Sequence, residues 1–213
     1  VNFVAPYKLI GAAALSVGVG HLHDPKEKQG LAHYLEHMLF LGTKKYPEVG
    51  SFKKFLDEHS GGSNAYTAGS ITNYFFQVSH DGFNIALDRF SDFFKAPLFD
   101  KTYSEREVKA VNNEHQKNKL NDGWRGNFVS QQISEPGHPL TKFGTGNKDT
   151  LSGDNRPALL DFYEKYYSAS NMKLSLISNI PMQNLFGIAK KYFSDIPTRK
   201  VNTPPMPKVF RKP

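Results

Sequence analysis

His33-Tyr34-Leu35-Glu36-His37 is the stretch of the chain in which residue types and spacing suggest chemistry first. On a helix, two histidines at i and i+4 stand one above the other, so both imidazoles reach a single cation about 2 Å from each ring nitrogen. Glu36, three residues after His33, falls on nearly the same face. A shuffled chain with the same 8 His and 9 Glu would show this pattern roughly once in eighty, so the motif is moderately specific and needs a third ligand to carry weight. A catalytic zinc site takes three protein ligands and a water, and after two histidines the third is often a carboxylate. Glu107 and Glu114 are the candidates. They are seven residues apart, and seven helical steps of about 100° fall within roughly 20° of two full turns, so both carboxylates share a face. One of them can bind metal while the other orients a ligand histidine through its second ring nitrogen. Two glutamates on a helix face are ordinarily just solvated; opposite a two-histidine helix that reading weakens.

Period and punctuation place these residues on an alternation of sheet and helix. Residues 9–20 read as a strand, and Gln29 to about Leu41 as the helix carrying the histidines, closed by Gly42. Ser51 to Glu58 reads as a short helix with Phe52, Phe55 and Leu56 on one face. After Gly61-Gly62, the segments 63–67 and 71–79 read as strands that can pair as a hairpin. Phe83, Ala86, Leu87, Phe90 and Phe94 recur at helical spacing and read as core, with Asp81 as N-cap and Pro97 as stop. A long helix is expected from Ser104 to about Ile133, broken near Asn121-Asp122-Gly123. A loop-rich stretch follows, and helix 156–167, strand 172–178 and helix 181–193 complete the unit. The expected fold class is α+β, a mainly antiparallel sheet packed against helices. Residues 1–196 are expected to form one catalytic domain. Residues 197–213, which hold 5 of the 13 prolines, are expected to form an extended linker toward a following domain.

The chain resembles the insulysin and pitrilysin metallopeptidases, the inverted-motif zincins whose signature is H-x-x-E-H with a downstream Glu. Here 76 residues separate His37 from Glu114. The likeness also runs through Gly30–Met38, Gly42-Thr43-Lys44-Lys45-Tyr46-Pro47, Ser63-Asn64-Ala65-Tyr66-Thr67, Glu105–Asn112, Lys142-Phe143-Gly144-Thr145-Gly146-Asn147 and Phe162–Ser168, so it covers nearly the whole chain. Residue by residue, the resemblance implies His33, His37 and Glu114 as ligands of Zn2+, Glu36 as general base and Glu107 as a partner of a ligand histidine. It implies that residues 63–67 form the edge strand to which a peptide substrate adds, with Asn64 and Ala65 as substrate contacts. The implied function is zinc-dependent endopeptidase action on peptides and small unfolded proteins. Members of this type are built as four related α+β domains in two halves, and this chain resembles the first. The second half, or a partner subunit, supplies Arg and Tyr side chains that hold substrate, for which this sequence has no match. The isolated chain is therefore expected to bind zinc and to cleave weakly or not at all. Two alternatives stand beside this one: a non-catalytic chamber-wall module of the same fold, and one subunit of a two-chain processing peptidase.

Composition narrows the remaining classes. The 213 residues contain no cysteine, which excludes disulfides, thiol nucleophiles and thiolate metal ligands and leaves histidine and carboxylate as the route to a metal. The net charge of +7 is scattered as pairs such as Lys44-Lys45, Lys53-Lys54 and Lys190-Lys191, so no nucleic-acid partner is expected. The longest apolar run, residues 9–20, resembles a signal peptide in part, but it is far short of the ~20 residues a bilayer requires and leads straight into His21-Leu22-His23, so a buried strand is expected and no membrane span. Cytoplasmic and periplasmic or secreted locations both stay open. Lys142 to Asn147 has the look of a phosphate cradle, yet it lacks the flanking strand and Lys-Ser such a loop needs. The other histidines, His115 included, are expected to lie outside the metal site.

Overall fold

Alternation of apolar and polar residues builds the sheet. The computed structural model describes residues 10–202 and Val209, and within them β1 (Ile10–Val17), β2 (Gly62–Thr67), β3 (Thr72–Ser79) and β4 (Met172–Ile177) form one antiparallel sheet in the order β2-β3-β1-β4. The register sets Leu15 opposite Tyr74 on one side and Leu174 on the other. In β3 the even residues Thr72, Tyr74, Phe76 and Val78 are sealed against helices at 0–1% exposure, whereas Phe75, together with Ile10, Tyr66 and Ile177, lies on the open face. A one-residue slip would exchange the two rows, so burial of one face fixes the register.

The helices are α1 (Leu31–Leu39), α2 (Ser51–Glu58), α3 (Phe83–Asp92), α4 (Ser104–Asn118), α5 (Asp122–Gln132), α6 (Arg156–Tyr166) and α7 (Met182–Phe193). The core is largely aromatic. Phe90 of α3 lies edge-on to Phe76 and Phe94 and packs with Phe52, Phe93 and Phe193. Such ring pairs add roughly 0.5–1.5 kcal/mol each beyond the area they bury. The predicted stripe Phe83, Ala86, Leu87, Phe90 and Phe94 is entirely buried.

The long helix expected from Ser104 divides at residues 119–121, where the Asn121 side chain accepts from Trp124 N–H and caps α5. Asp81 does not cap α3. It sits inside a 3-10 turn, His80–Gly82, and accepts instead from the Ser79 hydroxyl. Pro97 lies beyond the end of α3 and forms an isolated bridge with Thr43. Of the expected linker, Pro197 and Arg199 are hydrogen-bonded to Ala169 and Ser168, while residues 203–208 and 210–213 lie outside the described residues.

Two features position α1. Its N-terminal N–H groups are taken by the Asp24 carboxylate, which accepts from Gly30 N at 2.7 Å and Ala32 N at 2.8 Å, satisfying donors no helix can satisfy itself. Its body lies between the sheet, α4 and α6, and Tyr34, fully buried, reaches Ser104 Oγ at the start of α4 at 2.7 Å. The histidine helix and the glutamate helix are thereby clamped side by side.

Candidate metal centre

The pattern i, i+3, i+4 on α1 delivers His33, Glu36 and His37 to the side that faces α4 and β2. On α4 the seven-residue spacing does what helical geometry requires, and Glu107 and Glu114 both face the imidazoles. Glu114 Oε2 lies 3.4 Å from His33 Nε2 and 3.8 Å from His37 Nε2. One donor atom from each of His33, His37 and Glu114 lies within 4.8 Å of the others, the single such His/carboxylate group among the described residues. Glu107 does not join this trio; its Oε2 stands 3.5 Å from the opposite nitrogen, His37 Nδ1. His115 is turned away and packs edge-on to Phe143.

Each imidazole is held from behind. His33 Nδ1 lies 2.8 Å from the Thr145 carbonyl, an acceptor that requires the proton on Nδ1, so that the neutral ring has its lone pair on Nε2. Glu107 does the same for His37. Outer partners of this kind fix tautomer and ring orientation in metal-binding histidines. Glu36 is only 7% exposed and points elsewhere, toward β2, where the Thr67 hydroxyl donates to its Oε2 at 2.6 Å.

The electrostatics follow from this packing. Burial alone would lower the pKa of His37, but the Glu107 and Glu114 carboxylates reverse this and push it up to about 9. His33 is raised for the same reason, burial being outweighed chiefly by Glu114. Hydrogen bonds from His33 and then His37 hold Glu114 well below the usual carboxylate range, and Glu107 is lowered by His37, with burial opposing. Glu36 moves the other way: burial raises it, and His33 and Thr67 only partly restrain it. At neutral pH the carboxylates therefore hold a proton on His37, in the place and with the sign of charge that a divalent cation would take. Two buttressed imidazoles, each able to present an Nε2 lone pair once a cation displaces its proton, and one carboxylate are a donor set that fits zinc and leaves a coordination position for water.

The substrate contacts expected on β2 fall on two faces. Asn64, opposite Phe75, is on the open face, and Ala65, opposite Tyr74, is on the helix face with Thr67. β2 is the outer strand of the sheet, and the Ala65 N–H donates to the Asn64 side chain at 2.9 Å. Sequence reasoning did not assign the partners Thr67, Thr145 and Asp24. Thr67 had a readable signal, since alternation along β2 puts it on the side of the helices. The Thr145 acceptor is a backbone carbonyl and has no signature in residue type.

Known proteins share this fold and sequence. Residues 5–137 match the family described as insulinase, peptidase family M16, and residues 155–213 match the family described as peptidase M16 inactive domain. Insulin-degrading enzyme of Homo sapiens is 45% identical over 203 residues, which cover 92% of this chain and 20% of the relative. A protein that carries the name zinc protease mug138 in Schizosaccharomyces pombe is 45% identical, with 92% of this chain and 21% of that protein covered. The crystal structure of pitrilysin superposes with a TM-score of 0.91 at 42% identity, over 95% of this chain and 22% of that one. The chain thus spans about a fifth of the length of the relatives it matches. With the family match extending over more than half the residues and the same fold at 42% identity, the chain belongs to the insulinase family, peptidase family M16.

Proposed function

We propose that this chain is the zinc-binding catalytic domain of an endopeptidase that cleaves peptides and small unfolded proteins, and that it works together with further domains or a partner subunit. The observation that carries the proposal is the convergence of His33, His37 and Glu114 with their donor atoms within 4.8 Å, beside a buried carboxyl, Glu36, that belongs to neither the trio nor its supports. Zinc held by His33, His37 and Glu114 would lower the pKa of a bound water and polarise the scissile carbonyl.

The remaining work belongs to the protein's own groups. Glu36, with its pKa raised by burial, takes the proton of the attacking water and returns it to the leaving amine, a shuttle that works best when the carboxyl pKa lies nearer the operating pH. Thr67 holds the Glu36 carboxylate by its Oε2. The outer strand β2 receives the peptide as an added strand, with the local Ala65–Asn64 bond replaced by one to substrate; main-chain pairing suits many sequences because every peptide carries the same backbone groups. The reading of a non-catalytic wall module is disfavoured by the intact set of His33, Glu36, His37, Glu107 and Glu114, whose side chains are held by one another or by Thr67 and Thr145.

The test is zinc content after exhaustive dialysis. The parent chain is expected to retain about one equivalent, His33→Ala and Glu114→Gln to lose it, and Glu36→Gln to retain it. A parent chain without zinc, or one in which Glu114→Gln binds unchanged, would sink the proposal. In a form that hydrolyses peptides, cleavage retained by Glu36→Gln would remove Glu36 as the base.

A further inference from the structure

The loop Lys142-Phe143-Gly144-Thr145-Gly146-Asn147 does not cradle phosphate: the lysine such a site would need is occupied, its Nζ donating to the backbone carbonyls of Leu22 at 2.7 Å and Asp24 at 2.6 Å. What the loop does instead follows from its other contacts. Its Thr145 carbonyl faces His33 Nδ1 at 2.8 Å. Phe143 N–H donates to Gln29 Oε1 at 2.7 Å. Gly146, with φ +80°, lies so close to the start of α1 that a Cβ on Gly30 would come within 2.2 Å of the Gly146 Cα. A Cβ on Gly144 would come within 2.6 Å of the His21 ring. Both ends of this contact are tied to one residue, since the Asp24 carbonyl receives Lys142 while the Asp24 carboxylate holds Gly30 and Ala32. The loop, the 20–24 segment and the first turn of α1 are thus one hydrogen-bonded unit, and its output to the metal site is a single carbonyl oxygen.

Resting on the zinc reading above, we propose that the loop Lys142–Asn147 is a positioning element for His33: it holds the ring as the Nδ1–H tautomer with Nε2 toward Glu114, and with Lys142 as its anchor it sets how tightly the site holds zinc. A backbone carbonyl can be aimed only by fixing the backbone on either side of it. The lysine anchor and the glycine contacts supply that fixing, which explains why a loop far along the chain from both His33 and Glu114 has so many tethers to α1.

The experiment compares the parent chain with Lys142→Met and Lys142→Arg, measuring zinc affinity by chelator competition and the His33 ring N–H signal of the zinc-loaded proteins by NMR. Lys142→Met is expected to weaken zinc by about 10- to 100-fold, the range for loss of an outer partner of a metal-bound histidine, and to speed exchange of the His33 Nδ1 proton with water. Lys142→Arg, which keeps two donors within reach of the carbonyls, restores both. A purely structural role would lower the unfolding temperature while leaving the ring proton and the affinity of the folded protein alone, and that result overturns the inference. The parent protein decides independently of any variant: a zinc-loaded His33 whose Nδ1 proton exchanges as fast as an unbonded imidazole overturns it as well. Absence of zinc from the parent would instead overturn the zinc reading, and this inference with it.

Discussion

Glu107→Gln separates two opposing roles that one carboxylate has in this site. The substitution keeps the shape and leaves an amide oxygen for His37 Nδ1–H, but removes the charge 3.5 Å away. The first consequence is weaker support of His37 as a ligand, which costs about 10- to 100-fold in metal affinity. The second has the opposite sign. His37 is raised to about 9, so at pH 7 a proton competes with zinc for its lone pair by about 100-fold, two pKa units at about 1.4 kcal/mol each. Hydrogen bonding to Glu107 is the largest single cause that raises this pKa, with Glu114 acting both by a hydrogen bond and by its charge. Removing the Glu107 charge lowers the His37 pKa and so relieves part of that competition at pH 7. As the pH rises past 9 the imidazole loses its proton in both proteins and the relief fades. Relative to the parent, the variant should therefore bind zinc about 10- to 100-fold more weakly at pH 9.5, with a smaller deficit at pH 7. Competition against one chelator across this range, at fixed ionic strength, gives the ratio directly, because the chelator's own titration cancels. A deficit that is constant with pH, or that narrows as pH rises, would refute the assignment of Glu107 as the proton-holding partner of His37.

Two further perturbations address Glu36, the proposed base, and the core. Thr67→Val removes the hydroxyl that donates to Glu36 Oε2 and restrains the rise in its pKa. The Glu36 carboxyl in the zinc-loaded chain should then titrate higher than in the parent, because a hydrogen bond that favours its charged form is lost. Zinc affinity should be unchanged, and a carbon NMR titration showing no upward movement rejects the contact. Phe90→Ala removes a ring that is 1% exposed and touches five others. The expected loss is about 3–5 kcal/mol, read as a lower urea midpoint at unchanged slope; a loss under about 1 kcal/mol would mean that this core closes over the gap.

What was legible in the sequence and what was not divide along physical lines. Helical period placed His33, Glu36 and His37 on one face and Glu107 and Glu114 on another, and the structure brings the two faces together. That reading works because an i, i+4 or i, i+7 relation is fixed by local geometry whatever the tertiary surroundings. Period alone left open which glutamate meets both imidazoles, because that depends on how far α4 slides along α1. The sliding is set by contacts such as Tyr34 with Ser104, seventy residues apart in the chain. The Asp81 expectation failed for a related reason. Capping is a competition, and a serine two residues earlier offered the carboxylate a nearer donor, so the helix entered through a 3-10 turn instead.

The His33 support shows where residue types stop being informative. Its acceptor is a carbonyl, and any residue at position 145 would present one. The information lies instead in the neighbours that fix where the carbonyl points: a lysine whose ammonium meets two backbone oxygens, and glycines where a Cβ has no room. In sequence those residues look like a phosphate loop, because both kinds of loop need lysine and glycine for the same reasons, a cation beside oxygens and a close backbone approach. The missing flanking strand and Lys-Ser already speak against a phosphate loop, and the partners of the lysine show what the loop holds instead. In this protein the partner is the chain segment that caps the histidine helix, which ties the geometry of the candidate metal site to a contact more than a hundred residues away in sequence.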